Sequence, residues 1–258
     1  MEIYTISLKS ATERRDFHLE HLAERGINTK IVDASCGDDS AGYLELKNTS
    51  TRPLSRGEIG CFLSHRALWE KCFQQDTPIL ILEDDVILSK NFKQTIAALQ
   101  EIKNIDRINL EAYGLSQKLF SKKCKIENGY TLTKIIRERA GSAAYIIWPS
   151  GAKKLLKHYK NRADLADICL KNYFLINYQV EPALAVQSNM CFHYGIVSKM
   201  PKQASKSTIG HKIKKNRISS LKFKWRRLIR ETSHTIQNIK KLGSKKRSVK
   251  VSPKDFIH

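Results

Sequence analysis

Residues 79–88 read Ile-Leu-Ile-Leu-Glu-Asp-Asp-Val-Ile-Leu and place three adjacent carboxylates, Glu83, Asp84 and Asp85, between two apolar runs. Short apolar runs of this kind are typical of a buried strand. Clustered anions repel one another, and burying a carboxylate without a partner is costly. Because hard divalent cations prefer carboxylate oxygens, the stretch predicts a metal site at a strand end. In α/β proteins that edge of the sheet is also where phosphates bind.

The bulk composition fits a globular protein. The chain has 258 residues, of which 41% are hydrophobic, enough for one large domain or one domain with an appendage. No apolar run approaches the roughly 18 residues of a membrane-spanning helix. The first residues lack a basic-then-apolar signal pattern, which predicts a cytosolic protein. Six scattered cysteines without a C-x-x-C pair predict reduced thiols and argue against a structural zinc site.

The positive charge is concentrated at the C-terminal end. Residues 199–258 hold 19 Lys or Arg against two acids, Glu231 and Asp255, out of a net charge of +21. Residues 1–198 hold 27 basic against 23 acidic side chains. We therefore expect a nearly balanced domain over 1–198 and a basic extension over 199–258.

The first elements predict a parallel sheet. Residues 2–8 have strand character, Ser10 and Glu13 have capping-box spacing for a helix that Gly26 can close, and a second strand follows at 30–32. Strand, helix and strand within about 30 residues form a βαβ unit.

The later elements follow from the same signals. Ser55 and Glu58 predict a second capped helix, and Pro149 predicts another helix start. The remaining predictions are a loop over 34–54, a helix over 91–103, a strand at 107–110, short strands within 117–135, a strand over 142–148, a helix over 164–176 and a strand at 183–187.

Several motifs, taken in order over residues 1 to about 190, carry a family resemblance. They are Ile6-Ser7-Leu8 with Glu13-Arg14-Arg15, Val32-Asp33-Ala34, the stretch Leu54 to His65 with Trp69, Leu82 to Val86, and Gly141 to Ile147 with Gly151-Ala152. On these motifs the chain resembles glycosyltransferase family 25, the lipooligosaccharide and lipopolysaccharide glycosyltransferases that also include collagen galactosyltransferase domains. One departure is Leu165-Ala166-Asp167, where the family often has Pro-Val-Asp.

The resemblance implies a fold and a reaction. It implies an α/β, GT-A-like (Rossmann-like) domain, a nucleotide-sugar donor that is usually UDP-galactose, and inversion at the anomeric carbon. The acceptor would be a sugar of lipooligosaccharide or lipopolysaccharide. Two alternatives stay open: a UDP-glucose or UDP-N-acetylhexosamine transferase of the same family, and a nucleic-acid-binding protein built on a degenerate transferase fold.

The acidic cluster is the predicted metal site. Asp85 is the first candidate ligand for Mn²⁺ or Mg²⁺, with Glu83 on the same side of an extended chain, since side chains alternate along a strand. Asp84 would then face the ribose or the sugar hydroxyls. His193 is a further candidate ligand, as a late histidine in many GT-A enzymes. The ordinary alternative is a solvated acidic turn.

The predicted donor site draws on four segments. Backbone N–H groups of the first strand-to-helix turn, with Arg14 or Arg15, suit uracil or phosphate. The candidate contacts are Ser7, Leu8 and Arg14 in that turn, Asp33 after the second strand, Ser64 and His65 in the helix predicted to start at Ser55, and Gly141 and Ser142 at the start of the late strand. Each segment also has an ordinary alternative. The arginines would be solvated on a helix face, Asp33 would form a turn, His65 would pack in the interior, and Gly141 with Ser142 would form a tight turn.

An inverting transfer needs a general base for the acceptor hydroxyl. The candidates are Asp167, Glu111 and the nearby Asp164, and the sequence slightly favours Asp167. In the alternative reading these acids cap helices, or Asp167 pairs with Lys171 four residues on.

The basic extension suggests an amphipathic helix. Its residues are Arg226, Arg227 and Arg230 with Trp225, Leu228 and Ile229. Such a helix would hold the protein at an anionic membrane, here the cytoplasmic face of the inner membrane. The charge would also suit nucleic acid, but no recognised module accompanies it. A disordered solubilising tail is the third possibility.

Overall fold

The structure of the protein is a computed structural model. It describes residues 1–35, 46–114, 117–126, 129–138, 141–201, 223–226, 228 and 244–256, with the backbone alone for 117–122 and 245. Parts of the predicted loop over 34–54, including Gly37 and Gly42, therefore lie outside the described residues, as does Cys36. No helix in the described ranges is long and apolar enough to cross a membrane.

The described residues form mixed α and β structure in alternating order. The helices are α1 Thr12–Ala23, α2 Arg56–Gln75, α3 Phe92–Leu99, α4 Pro149–His158 and α5 Ala166–Leu170. The strands are β1 Glu2–Ser7, β2 Lys30–Asp33, β3 Lys47–Asn48, β4 Ile79–Glu83, β5 Val86–Leu88, β6 Arg107–Asn109, β7 Glu111–Ala112, β8 Gln117–Lys125, β9 Thr131–Arg137, β10 Ala144–Ile147, β11 Arg162–Ala163, β12 Asn177–Glu181, β13 Ala185–Gln187 and β14 Lys245–Ser248. Short 3₁₀ turns occupy Ser188–Met190, Phe192–Tyr194 and Pro253–Asp255.

One large sheet organises the described part of the chain. Its strand order is β14-β8-β9-β12-β6-β10-β4-β1-β2. Strand β1 pairs in parallel with β2 and β4, so the predicted parallel βαβ unit is present. Strand β10 lies antiparallel between β4 and β6. A smaller sheet, β5-β13-β7, stands beside it. The predicted α/β, Rossmann-like class is confirmed.

Helices cover both faces of the sheet. On β4, Leu80 and Leu82 enter a core with α1 and α3 residues, whereas Ile79 and Ile81 enter a second core with α2 and α4 residues. All four side chains are fully buried. Burial on both faces explains why this strand is a continuous apolar run rather than an alternating one.

Several predicted element boundaries are confirmed. Ser55 and Glu58 form the predicted capping box, in which the Ser55 side chain accepts from the Glu58 N–H and the Glu58 side chain accepts from the Ser55 N–H. Pro149 opens α4 at its first turn, as predicted. The Ser10 and Glu13 box is wrong: α1 begins at Thr12 after Ala11, with no side-chain cap bond.

Two predictions for the second half also need correction. The helix predicted over 164–176 is only Ala166–Leu170, because the chain then turns to enter β12, a strand the sequence pattern did not reveal. The stretch expected to hold short polar strands contains the longest described strand, β8.

The end of the chain belongs to the body rather than to an appendage. Strand β14 pairs antiparallel with β8. Arg247 forms an ion pair with the buried Glu181, which also accepts from the Lys250 N–H at 3.0 Å. Phe256 is 1% exposed and packs with Ile87. Residues 244–256 are thus excluded from the predicted extension over 199–258, and the boundary at 198 stays a prediction.

Candidate active site

The predicted site residues meet at one edge of the sheet because of strand direction. Ser7, Asp33 and Glu83 are the last residues of the neighbouring parallel strands β1, β2 and β4, so their side chains lie at the same edge. Strand β10 runs the other way, so its preceding residues Ser142 and Ala143 arrive at that edge too, where the Ala143 carbonyl accepts from the Glu83 N–H at 2.8 Å.

Glu83 is held from two sides. Oε1 lies 3.3 Å from His65 Nε2 and accepts from Ser142 Oγ at 2.9 Å. Burial would raise the pKa of Glu83, but hydrogen bonds from His65 and Ser142, with the charge of Arg14, bring that pKa below its usual value. Glu83 is therefore an ionised carboxylate in a fixed orientation.

His65 is oriented by a buried chain of hydrogen bonds. Trp69 Nε1 donates to the Tyr145 hydroxyl at 2.9 Å, and that hydroxyl lies 2.9 Å from His65 Nδ1. An indole N–H can only donate, so the hydroxyl accepts from Trp69 and can donate to Nδ1. The His65 proton then sits on Nε2, facing Glu83. His65 thus lies beside Glu83 at the end of β4, where its hydrogen bond can orient that carboxylate.

Asp84 faces away from Glu83. Its Oδ2 accepts from Ser7 Oγ at 2.6 Å, and its Oδ1 forms an ion pair with Arg14 Nε at 2.8 Å. Burial raises the pKa of Asp84, against the lowering effect of Ser7 and Arg14. Both oxygens are thus engaged inside the protein, so Asp84 fixes α1 to the strand end. The predicted contact with ribose has no support in these bonds.

Asp85 differs from its neighbours. Its Oδ1 is buried without a hydrogen-bond partner in the described structure. Burial, and then the charges of Glu83 and Asp84, hold the pKa of Asp85 well above its usual range. The Asp85 carbonyl accepts from the Ser188 N–H at 2.8 Å, which joins the acidic turn to the 188–196 segment. A buried carboxylate oxygen with no partner is the feature that a bound cation would satisfy.

Glu111 follows β6 and lies behind the Gly141 backbone. It is fully buried, and Oε1 accepts from the Ala143 N–H at 3.0 Å while Oε2 accepts from Gln187 Nε2 at 3.3 Å. Gly141 has a φ of +122°, and a Cβ there would come within 2.7 Å of Glu111 Oε1. Only glycine fits this close approach without strain. Glu111 therefore supports the Gly141–Ala143 backbone and contributes negative charge near Asp85.

The two late acids lie in different surroundings. Asp167 has a side chain 34% exposed and pairs with Lys171 Nζ at 2.5 Å, the contact expected from its i,i+4 spacing. Asp164 is 1% exposed and accepts from the Leu165 N–H at 2.9 Å and from Thr49 Oγ1 at 3.4 Å, so it is held inside the protein just before α5. Burial raises the pKa of the Cys61 thiol, as do the charges of Glu83, Asp167 and Asp85. Asp167 stands at the start of α5, whose buried residues share a core with those of α2.

The first turn is closed by internal bonds. Arg15 donates to the Ser7 carbonyl at 3.0 Å and to Asp33 Oδ1 at 2.7 Å, so it links β1 to β2. Asp33 stays exposed, whereas Arg14 is buried against Asp84. The Leu8 carbonyl accepts from the Ala11 N–H at 3.0 Å. Asp33 and Arg15 are thus more accessible than Arg14 and Asp84.

Ser64 joins α2 to the segment after β2. Its hydroxyl donates to the Gly60 carbonyl at 2.7 Å and accepts from the Ser35 N–H at 2.9 Å. This buried serine fixes the backbone just beyond Asp33 instead of facing the site directly.

The predicted metal ligands do not all converge. His193 is exposed on a 3₁₀ turn and stacks edge-on with Tyr194, with ring centroids 4.9 Å apart. Within the described residues, the one group of three or more metal-type ligand atoms lying within 4.8 Å of one another is Cys61, His65 and Glu83. His193 is therefore not brought to Glu83 and Asp85 in this arrangement.

Sequence reasoning missed residues that support the site from behind. Arg107 is fully buried, donates to Glu138 Oε2 at 2.7 Å and to the Gly141 carbonyl at 2.9 Å, and lies over the Tyr145 ring at 5.4 Å. A charged residue inside the strand predicted at 107–110 was the available signal. Tyr145 and Trp69 belong to the motifs that carry the family resemblance, but nothing in the sequence showed that their side chains form a hydrogen bond.

The fold and this site define an α/β protein that gathers carboxylates at the carboxyl ends of parallel strands, where such proteins bind phosphate-bearing ligands. The sequence model of glycosyltransferase family 25 (LPS biosynthesis protein) matches residues 1–170. The chain belongs to glycosyltransferase family 25.

Three relatives illustrate the range of that family. Lipooligosaccharide biosynthesis protein lic2B of Haemophilus influenzae is 32% identical over 204 residues, covering 73% of this chain and 77% of that protein. Human procollagen galactosyltransferase 2 is 38% identical over 122 residues, 43% of this chain but only 19% of the human protein. Human inactive glycosyltransferase 25 family member 3 is 30% identical over 60% of this chain and 28% of that protein.

Proposed function

We propose that this protein is a metal-dependent, inverting glycosyltransferase that moves a hexose, galactose from UDP-galactose in the first instance, onto a sugar of lipooligosaccharide or lipopolysaccharide. The observation that carries the proposal is the buried, unpartnered Oδ1 of Asp85 beside the fixed carboxylate of Glu83. The names of the lic2B and procollagen galactosyltransferase relatives support the acceptor and the donor, respectively.

The residues present fit a divalent cation. Asp85 has a carboxylate oxygen without a partner, and Glu83 is ionised and oriented. Arg14 balances Asp84 rather than Asp85, so negative charge remains at the turn. Asp85 and Glu83 would hold Mn²⁺ or Mg²⁺, while no described contact supports His193 as a third ligand. When bound, the ion would neutralise charge that develops on the diphosphate leaving group.

The chain's own residues would position the donor around this point. Arg15 and Asp33 are the accessible polar groups at the ends of β1 and β2, where uracil and ribose would lie. Ser142 and the backbone at Gly141 form the opposite wall, fixed by Glu111 and Arg107. Positioning of this kind removes much of the entropic barrier to transfer.

We assign the general base to Asp167 in preference to Glu111. Asp167 is part-exposed, so an acceptor hydroxyl can reach it, whereas Glu111 is fully buried and already accepts two hydrogen bonds. The acceptor oxygen forms its bond to the anomeric carbon as the bond to the UDP oxygen breaks, and Asp167 takes the hydroxyl proton. Attack opposite the leaving group inverts the configuration. UDP leaves with the electron pair of the broken bond.

We also propose a peripheral location at the cytoplasmic face of the inner membrane. In the basic segment, Trp225 and Leu228 are 65% and 53% exposed, whereas Phe223 is buried and Arg226 donates to the Ser50 carbonyl at 3.3 Å. An exposed apolar pair beside basic residues suits an anionic lipid surface. Arg227, Ile229 and Arg230 lie outside the described residues. The test is sedimentation with anionic vesicles, in which Trp225→Ala with Leu228→Ser should reduce binding.

The activity is tested with a panel of UDP-sugars and a lipooligosaccharide acceptor, with Mn²⁺ and with EDTA. We expect metal-dependent UDP release from one sugar, and loss of at least about 100-fold in turnover in Asp85→Asn. Asp16→Asn is the matched control, since Asp16 is exposed on α1. No release from any donor, with folded protein and acceptor present, would place this chain with the inactive relatives and refute the proposal.

Asp167→Asn and Glu111→Gln separate the two candidate bases. Asp167→Asn should lower turnover with acceptor while leaving donor binding unchanged. Glu111→Gln should lower thermal stability as well as turnover, because it perturbs the buried contact with the Ala143 N–H. Full activity of Asp167→Asn would show that the base lies elsewhere.

A further inference from the structure

The structure contains a second set of metal-type ligands, chemically different from the carboxylate pair. Cys61 Sγ, a ring nitrogen of His65 and a Glu83 carboxylate oxygen all lie within 4.8 Å of one another. Cys61 and His65 are four residues apart on α2, so both project from one face of the helix. Glu83 meets them from the end of β4, with its Oε1 3.3 Å from His65 Nε2.

The donor set selects the ion. One sulfur, one imidazole nitrogen and one carboxylate oxygen suit Zn²⁺, whereas Mn²⁺ and Mg²⁺ favour oxygen ligands. In a tetrahedral zinc site the ligand atoms are about 3.5 Å apart, given bonds of roughly 2.0–2.3 Å. The three groups therefore need to close by only about 1 Å, which a thiol on a side chain can do by adjusting its torsion.

The surroundings also suit zinc. A metal-bound histidine usually donates its other N–H to an oxygen, and the Tyr145 hydroxyl lies 2.9 Å from His65 Nδ1. Ser142 Oγ donates to Glu83 Oε1 and fixes the carboxylate. Three ligands leave a fourth position for water or a substrate oxygen.

We propose that Cys61, His65 and Glu83 form a zinc-binding site, and that zinc there competes with the catalytic ion for Glu83. On binding, the thiol releases its proton to solvent and the Cys61 sulfur bonds to Zn²⁺. Bound through Nε2, the neutral imidazole carries its one proton on Nδ1. The His65–Tyr145 hydrogen bond then reverses, so Nδ1 donates to the Tyr145 oxygen and the Tyr145 hydroxyl hydrogen rotates away from His65. The competition, but not the binding, rests on the proposed glycosyltransferase function.

The spacing of the cysteines could not reveal this site. The sequence holds no C-x-x-C pair, and the third ligand lies 18 residues beyond His65 on a different element.

The binding test uses purified full-length protein freed of metal with EDTA and titrated with Co²⁺ and Zn²⁺ alone. We expect a thiolate-to-cobalt charge-transfer band with one-to-one stoichiometry, displaced by Zn²⁺. Cys61→Ser should abolish the band and weaken zinc binding at least about tenfold. Cys124→Ser is the matched control because Cys124 is exposed and remote from the three ligands. A missing band in the wild type, or an equal band in Cys61→Ser, would overturn the proposal.

The competition is measured separately, as UDP release at fixed Mn²⁺ with increasing Zn²⁺. Zinc should inhibit the wild type and lose potency at least about tenfold in Cys61→Ser. Inhibition that is equal in the two proteins would refute the shared use of Glu83. If no metal supports turnover, the glycosyltransferase proposal fails, while the cobalt spectrum still decides the zinc site.

Discussion

Removing the hydroxyl of Tyr145 tests whether the buried hydrogen-bond chain behind Glu83 acts as one unit. In Tyr145→Phe the ring remains stacked on His65 and beneath Arg107, so packing is nearly unchanged. Two buried groups, Trp69 Nε1 and His65 Nδ1, each lose a partner at 2.9 Å. An unsatisfied buried polar group costs about 1–3 kcal/mol. For the two groups together, we therefore expect the free energy of unfolding to fall by about 2–6 kcal/mol.

The same change should affect the site. With Nδ1 unpaired, His65 no longer has a fixed tautomer, so its bond to Glu83 weakens. Loss of such an outer partner typically costs about 10–100-fold in metal affinity or activity. We expect turnover of the UDP-sugar to fall within that range while the donor preference stays unchanged.

The assay pairs urea unfolding, followed by tryptophan fluorescence, with UDP release at saturating donor. Tyr159→Phe is the control: Tyr159 is also buried, but its hydroxyl accepts from Asn172, which has a second partner in the Cys169 carbonyl. That control should lose only about 1 kcal/mol and retain activity. If both variants lose the same stability and Tyr145→Phe keeps full turnover, the chain does not orient Glu83.

Three further perturbations follow from other contacts. Gly141→Ala should lower the free energy of unfolding by about 1–3 kcal/mol and remove most of the activity, since φ is +122° and the Cβ would meet Glu111. Gly129→Ala, at a glycine with positive φ and open space, should keep activity. Arg247→Met should lower the free energy of unfolding by about 2–4 kcal/mol, because the buried Glu181 loses its cation. Adding Glu181→Gln should recover part of that stability in thermal melts. Burial lowers the pKa of His18 to about 4. As pH falls, the His18 imidazole therefore becomes protonated at a higher pH in the unfolded chain than in the folded protein. Stability should therefore drop by about 2 kcal/mol between pH 7 and 5, and His18→Gln should flatten that slope in urea titrations.

Part of the fold followed directly from local sequence. The apolar run 79–82 predicted a buried strand, and Ser55 with Glu58 predicted a helix start, and both are present. The same spacing at Ser10 and Glu13 gave no capping bond. These signals are local because they depend on neighbours within one turn or one strand. Helix length before β12 depended on where the chain had to turn, so the helix predicted over 164–176 was too long.

The residue types of the site were also present in the sequence. Glu83, Asp84 and Asp85 marked the strand end, and parallel strands implied that Ser7 and Asp33 would join them. Family membership rests on motifs that are read along the chain.

Tertiary structure alone decided what each of these groups does. Three adjacent carboxylates point to three environments: Glu83 to His65, Asp84 to Arg14, and Asp85 to no partner among the described groups. Contacts between residues separated by as many as 80 positions, such as His65 with Tyr145, arise from strand order and helix packing, which no local pattern encodes. The sequence therefore determined which chemistry was available, and the packing of α2 against β4 and β10 determined which oxygen was left for a ligand.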